Sequence, residues 1–178
     1  MNKLFALVLG VLLLLFLGIT LLKNRSPGDD ILDVTRVAAP AERARIQRFW
    51  ELYRQATGHR IAGRTRQAVE TYAGALELNT EHEDALYYLG NVYFDLGEFA
   101  DAETAWKRLV DVNPTSARAH SQLGNLYLCF DYEELVDLEA AEAEFQRALD
   151  IYKEDTGPLL RLGEIALIRG DVAQARYY

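Results

Sequence analysis

Cys129 and the acidic residues that follow it have side chains that could do chemistry. The chain contains one cysteine, and five carboxylates lie within ten residues after it: Asp131, Glu133, Glu134, Asp137 and Glu139. A thiol becomes a good nucleophile when a base or a positive charge stabilises its thiolate. The sequence positions no such base near Cys129, and a single cysteine excludes an internal disulfide and a cysteine metal cluster. We interpret the carboxylates as solvated side chains around the start of a helix, where the helix dipole favours negative charge. Docking of a basic partner is the alternative.

The histidines do not complete an active site either. His59, His82 and His120 are far apart in the sequence and lack a spacing suited to a shared metal ion. The polar stretch Glu81–Asp84 is typical of a turn, and neither a phosphate-binding glycine loop nor a serine nucleophile motif is present. The sequence therefore predicts no catalytic residue, no metal site and no cofactor, and we expect that the protein is not an enzyme.

Charge divides the chain into a basic and an acidic part. Residues 36–66 contain eight arginines and two glutamates, a formal charge of +6, whereas residues 67–178 have a formal charge of −14. The acidic part would repel nucleic acid, so no nucleic-acid partner is expected. The basic part suits anionic lipid headgroups or an acidic partner beside a membrane, with a solvated basic face as the alternative. The residues proposed for such a membrane-proximal basic face are Arg43, Arg45, Arg48 and Arg54.

An uncharged apolar run precedes this basic part. Residues 4–22 are flanked by Lys3 and Lys23, and as a helix they would span roughly 28 Å, which matches a bilayer core. The run is longer than in most cleaved signal peptides, and Gly18-Ile19-Thr20 is a poor cleavage site. We therefore predict a transmembrane anchor at residues 1–25 and a linker at 26–40. A short basic head before a long apolar run favours export of the domain that follows. The anchor suits a bacterial inner membrane, so we expect a single-pass protein whose domain is periplasmic.

Residues 41–178 have helical periodicity, and a 34-residue pattern repeats within them. One copy covers residues 83–116, where the pattern consists of Leu86, Leu89, Gly90, Tyr93, Ala102, Trp106 and Pro114. A shift of 34 residues backwards finds Leu52, Ala56, Gly63, Ala68, Tyr72 and Ala75, and a shift forwards finds Leu123, Gly124 and Tyr127. These types at this spacing resemble the tetratricopeptide repeat, although Leu109 stands where that family usually has alanine.

The resemblance implies an all-α fold, a right-handed superhelical solenoid of antiparallel helix pairs that follows the transmembrane helix. The copies cover about 49–82, 83–116, 117–155 and, incompletely, 156–178. We expect Gly90 to face Ala102 so that paired backbones approach closely, while Tyr93 and Trp106 fill the space around them. A first helix from about Ala41 to Arg60 is predicted to be long and to act partly as a cap. The incomplete last copy should leave an apolar face exposed.

The third copy is five residues longer than the second, because 39 residues separate Gly124 from Gly163 and 34 separate Gly90 from Gly124. Asp131 and Glu134 have the spacing of a helix capping box. Their position predicts that the second helix of this copy begins near Tyr132 and projects more than one turn beyond its neighbours.

The resemblance also implies a concave groove that binds proteins and is lined by the first helix of each copy. Asn91 and Asn125 match the asparagine that bonds an extended peptide backbone in such grooves, for which an amide is suited. The lysines of a carboxylate clamp are absent. The residues predicted to line the groove are Asp84, Tyr87, Asn91, Phe94, Arg118, Ser121, Asn125, Leu128, Leu160 and Leu167.

Together these features predict a membrane-anchored scaffold that binds a protein partner in or at the same membrane. Its role would be to assemble or stabilise a complex, as an accessory subunit or an assembly factor. The alternative is that the repeats are the regulatory or substrate-presenting part of a longer enzyme that continues beyond residue 178.

Overall fold

The computed structural model describes residues 39–129 and 136–178. The chain divides into two compact units, Met1–Arg45 and Ile46–Tyr178, and the solenoid lies in the second. The predicted anchor, residues 1–25, and nearly all of the predicted linker lie outside the described residues. Within the described part, none of the helices combines the length and the apolar character that crossing a bilayer requires.

All regular structure in the described residues is helical, as predicted. The helices in chain order are α1 Pro40–Ile61, α2 Thr65–Leu78, α3 Glu83–Asp95, α4 Phe99–Val112, α5 Ala117–Tyr127, α6 Leu138–Ile151, α7 Thr156–Ile168 and α8 Val172–Tyr177. From α2 to α8 each helix packs against the next, and α5 also contacts α7. The result is a tetratricopeptide-like solenoid, in which neighbouring elements supply the core.

Glycines make three of the turns within copies. Gly63, Gly97 and Gly170 follow α1, α3 and α7 and have φ angles of +69°, +73° and +80°, in the left-handed region that glycine tolerates best. The turns between copies use a different signal. Asn113 ends α4 in an extended conformation, and Pro114 after it cannot continue the helix.

The core of each pair depends on a large aromatic side chain that covers a glycine. Trp106 of α4 is 1% exposed and covers Gly90 of α3, so that a Cβ built on this glycine would lie 2.3 Å from Trp106 Nε1. Phe145 of α6 covers Gly124 of α5 in the same way, at 2.7 Å from its Cε1 atom. The expected partner of Gly90 was Ala102; the structure shows that the Trp106 ring occupies this space.

Helix α1 is long, as predicted, and closes the first pair with aromatic side chains. Phe49 is buried, and its ring lies 4.7 Å from that of His82 at the start of α3. Tyr53 packs against Tyr72 of α2, with 5.9 Å between ring centroids. Thr57 and Tyr72 share a hydrogen bond of 3.0 Å between their hydroxyls. These contacts explain why α1 continues to Ile61 despite its weakly amphipathic sequence.

The predicted early start of the second helix in the third copy is wrong. Helix α6 begins at Leu138, where the Asp137 carboxylate accepts hydrogen bonds from the backbone N–H groups of Glu139 and Ala140 at 3.0 and 2.9 Å. It has 14 residues, the same length as α2 and α4. Asp137 N–H donates to the carbonyl of Tyr127 at 3.0 Å, so the chain is back at the end of α5 before α6 begins. The second helix of the third copy therefore has the same length as its counterparts. The predicted capping residues Asp131 and Glu134 lie outside the described residues.

The α7–α8 pair leaves large apolar side chains exposed, as predicted for the last copy. They are Leu160, Leu167, Ile168, Val172 and Tyr177, with exposed fractions between 46% and 84%. Helix α8, which packs against α7, has six residues.

Candidate protein-binding groove

Three amide side chains form a hydrogen-bonded relay across the first helices of the second and third copies. Gln122 of α5 donates from Nε2 to Asn91 Oδ1 of α3 at 2.9 Å, and its own Oε1 accepts from Asn125 Nδ2 at 3.1 Å. All three residues are partly buried. The relay connects the two asparagines that the resemblance placed in the groove and fixes the orientation of their amides.

This arrangement leaves complementary hydrogen-bonding groups at its two ends. Asn91 uses its carbonyl oxygen in the relay, so its NH2 group is available to donate. Asn125 uses its NH2 group, so its carbonyl oxygen is available to accept. An extended peptide backbone presents one N–H donor and one C=O acceptor in each residue and can bind both ends. The two asparagine amides are therefore suited to bind the uncharged backbone of an extended peptide.

A pocket of about 490 Å³ lies beside the relay. Its lining includes Phe94, Trp106, Leu128 and Cys129, which give it apolar walls, together with Gln122, Asn125 and Arg161. Arg161 comes from α7 and donates to Glu164 at 2.7 Å. A pocket of this volume accepts a large apolar side chain, and the relay beside it binds a main chain.

Asp84 and Arg118 form an ion pair at the N-terminal ends of α3 and α5. Arg118 Nη2 donates to Asp84 Oδ1 at 2.5 Å, and the guanidinium carbon lies 4.6 Å from the centre of the Tyr87 ring. Both charged side chains are more than one third exposed, so the pair adds little to stability. Its main effect is to cross-link neighbouring copies through three predicted groove residues.

Seven of the predicted groove residues are connected to this site, and three are not. Phe94, Asn125 and Leu128 line the pocket, Asn91 joins the relay, and Asp84, Tyr87 and Arg118 form the ion-pair cluster. The Ser121 hydroxyl is buried without a hydrogen-bond partner among the described residues. Leu160 and Leu167 lie on α7 with 73% and 59% of their surface exposed, outside the lining of the pocket.

Sequence reasoning missed Gln122, Trp106 and Arg161 as site residues. Gln122 follows Arg118 by four residues and precedes Asn125 by three, a spacing that places all three on one face of a helix. That signal was present in the sequence. Trp106 was expected as core only, and the structure also places it in the lining of the pocket.

His120 forms a separate buried polar pair behind the groove helices. It is 4% exposed, and its Nδ1 atom lies 2.6 Å from Glu144 Oε2 while its Nε2 atom lies 3.1 Å from the Pro114 carbonyl. Arg147 also donates to Glu144. Each group of the pair has a partner, which is what burial of polar side chains requires. Its role is to join α5, α6 and the turn before α5.

The other histidines have local structural partners. His82 Nδ1 caps α3 by accepting a hydrogen bond from Ala85 N–H at 3.2 Å, and His59 Nδ1 accepts from Arg64 Nε at 2.9 Å. In residues 39–129 and 136–178, no cluster of three or more His, Cys, Asp or Glu side chains is arranged to hold a metal ion.

Tyr127, at the end of α5, forms a hydrogen bond with Glu103 of α4. Burial, followed by the hydrogen bond to Glu103, raises the pKa of Tyr127 to about 12. The Tyr127 hydroxyl therefore stays protonated and donates to Glu103 Oε1 at 2.8 Å. Although burial opposes it, the hydrogen bonds from Lys107 and Tyr127 lower the pKa of Glu103, so this carboxylate is ionised and accepts from both.

All four arginines of the proposed basic face are exposed on α1. Two have acidic neighbours on the same helix: Arg45 pairs with Glu42 at 2.8 Å, and Arg48 pairs with Glu51 at 3.2 Å. The hydrogen bond from Arg45 lowers the pKa of Glu42. Arg54 has no ion pair with any residue of the described ranges, so the four arginines are not equivalent.

Comparison with known proteins supports the fold. Residues 59–126 match the model of the tetratricopeptide repeat family. No curated protein sequence matches the chain significantly.

Solved structures of the same fold include the first tetratricopeptide domain of Spaghetti (RPAP3) bound to the HSP90 peptide SRMEEVD. It has a TM-score of 0.63 and 20% identity over 70% of this chain and 94% of that one. Residues 41 to the end of MamA from Desulfovibrio magneticus RS-1 have a TM-score of 0.62 and 25% identity, and the match covers 71% of this chain and 68% of that one. A tetratricopeptide protein from the thermophile Thermus thermophilus has a TM-score of 0.60 and 22% identity over 72% and 70% of the two chains.

Proposed function

We propose that this protein is a membrane-anchored tetratricopeptide scaffold that binds an extended segment of a partner protein. Its role would be to assemble or stabilise a protein complex, as an accessory subunit or an assembly factor. The observation that carries the proposal is the Asn91–Gln122–Asn125 relay beside the apolar pocket. Neutral amides can bind the main chain of a partner segment, and the pocket beside them can accept one of its side chains, so the site suits binding without catalysis.

The partner segment would lie across α3 and α5, as an extended chain. The Asn91 NH2 group would donate to one backbone carbonyl, and the Asn125 carbonyl would accept from one backbone N–H. An apolar side chain of the segment would enter the pocket between Phe94 and Leu128. The Spaghetti domain, which has a bound peptide, supports this use of the fold.

The location that we propose is the bacterial inner membrane, with residues 4–22 as a single span and the solenoid on the periplasmic side. This part of the proposal rests on the uncharged apolar run and on the short basic head before it. A tether of this kind raises the effective concentration of a partner in the same membrane. A groove of modest affinity is then sufficient.

Replacement of both asparagines by alanine tests the groove. In full-length protein purified in mild detergent after crosslinking in cells, we expect one stoichiometric protein partner, identified by mass spectrometry. Asn91→Ala with Asn125→Ala should weaken its binding about tenfold or more, because two hydrogen bonds to the main chain are lost. The matched control is Asn79→Ala with Gln146→Ala, which removes two exposed amides elsewhere on the solenoid.

Unfolding curves of the two variants distinguish loss of binding from loss of the fold. The proposal fails if no stoichiometric partner is recovered, or if both double variants bind it as well as the original protein does. It also fails if the control variant loses the partner to the same extent, since binding would then not depend on the relay.

A further inference from the structure

Helix α1 has three large apolar side chains that stay substantially exposed among the described residues. Ile46, Trp50 and Ile61 are 44%, 46% and 75% exposed. At about 100° per residue these positions fall within about 60° of one another around the helix, and Arg54 lies about 20° beyond them. The Trp50 ring packs against the rings of Phe49, Tyr53 and His82, at 5.1, 5.8 and 5.5 Å between ring centroids. The structure thus holds a tryptophan in place with nearly half of its surface open to solvent.

The charge on this side is positive and is not neutralised within the described residues. Arg54 is exposed and has no ion pair in that part of the chain. Arg48 differs, because it pairs with Glu51 at 3.2 Å and lies about 120° around the helix from Arg54. The apolar side chains and the free positive charge therefore occupy the same side of α1.

We propose that this side of α1, defined by Ile46, Trp50, Arg54 and Ile61, lies on an anionic lipid surface. Tryptophan prefers the interface between water and lipid, arginine is attracted by anionic headgroups, and exposed aliphatic side chains gain by entering the upper acyl region. The side chains stand in a row on one helix, which favours a planar surface over a shaped protein partner. This inference rests on the membrane location in the proposed function.

The chain has two tryptophans, Trp50 and Trp106, and Trp106 is 1% exposed. Fluorescence that responds to lipid therefore reports on Trp50. We would place the full-length protein in lipid nanodiscs that contain phosphatidylcholine brominated on its acyl chains, with or without phosphatidylglycerol. In discs with phosphatidylglycerol we expect a shift of Trp50 emission to shorter wavelength and quenching by the brominated lipid. Trp50→Phe should abolish both signals.

Arg54→Gln and Arg48→Gln form a matched pair, because each removes one exposed charge from the same helix. Loss of a charge near an anionic surface weakens association about fivefold, so Arg54→Gln should reduce the quenching and Arg48→Gln should leave it nearly unchanged. Equal effects of the two variants would contradict the inference. Trp50 emission that is the same in anionic and neutral discs, without quenching in either, would also overturn it.

Other outcomes separate this inference from the proposed anchor. Incorporation into both kinds of disc without quenching of Trp50 would leave the anchor intact and refute the lipid contact of α1. Failure to enter neutral discs, together with quenching in anionic discs, would refute the anchor and support the contact. An emission shift without quenching by brominated lipid would show that a protein or a second copy covers Trp50, which refutes the lipid contact.

Discussion

Gly90→Ala is expected to destabilise the solenoid by about 2 kcal/mol, because no room exists for a methyl group between α3 and Trp106. A Cβ at Gly90 would lie 2.3 Å from Trp106 Nε1 and 2.6 Å from its Cδ1 atom. The ring cannot move aside easily, since it is 1% exposed and donates to the Tyr87 carbonyl at 3.3 Å. Overpacking of about 3 kcal/mol exceeds the gain of about 1 kcal/mol from the better helix propensity of alanine. Chemical unfolding followed by circular dichroism measures the difference.

Gly163→Ala is the matched control, since Gly163 occupies the same repeat position in the last copy. The nearest atoms to a Cβ there are the Ala175 carbonyl oxygen and Tyr178 Cβ, both at 3.7 Å, which is ordinary contact. We expect this variant to be stabilised by about 0.5–1 kcal/mol, as for Gly→Ala within a helix. Trp106→Leu should cost less in the Gly90→Ala protein than in the original one. If Gly90→Ala and Gly163→Ala have equal effects, the packing described for Trp106 is wrong.

His120→Leu is expected to destabilise the protein by about 3 kcal/mol. Among the described residues, the substitution leaves Glu144, whose side chain is 13% exposed, with only the exposed Arg147 as a partner. It also leaves the Pro114 carbonyl without its hydrogen bond from the ring. Removing one member of a buried polar pair costs more than removing both, because the remaining group has lost its solvation. The free energy of unfolding again provides the measurement.

Two further variants test the explanation for His120. His59→Leu should cost less than about 1 kcal/mol, because His59 is only partly buried and its hydrogen bond to Arg64 lies at the surface. His120→Leu with Glu144→Leu should be more stable than His120→Leu alone, since neither polar group is then left unpaired. A double variant less stable than both single variants would argue against the pair as described.

The fold was predictable because tetratricopeptide packing depends on few residue types at fixed spacing. Trp106 and Phe145, at equivalent positions of α4 and α6, cover Gly90 and Gly124 as the repeat required. The details of the contact were not predictable: Ala102 and Trp106 both fit the space opposite Gly90, and only the packing of α3 against α4 shows that the indole ring fills it. Spacing along one helix does not reveal which side chain of the facing helix is nearest.

The start of α6 shows a similar limit. Asp131 and Asp137 are both good capping residues, and local sequence does not rank them. The hydrogen bond from Asp137 N–H to the Tyr127 carbonyl fixes the chain at the end of α5, so the helix begins only after this contact. A non-local contact decided the boundary, which periodicity does not detect.

Only part of the groove was predictable, because some of its contacts also depend on residues that are distant in the sequence. Asn91 and Asn125 followed from their repeat position, but the role of Gln122 depends on the side-chain conformations of two facing helices. Leu160 was expected in the groove, and its neighbour Arg161 lines the pocket instead. A shift of one residue turns a side chain by about 100° on a helix. This shift occurred in the last copy, which lies outside the residues that match the family model.

The central claim is that the face with the relay and the pocket contacts a partner protein. The most direct measurement is crosslinking in cells from benzoylphenylalanine in place of Arg161, which lines the pocket and is exposed. The matched position is Thr104, which is exposed on α4 and does not line this pocket. We predict one protein adduct from position 161, none of that protein from position 104, and loss of the adduct when Asn91 and Asn125 are both replaced by alanine. No adduct from position 161, or the same adduct from both positions, would contradict the claim.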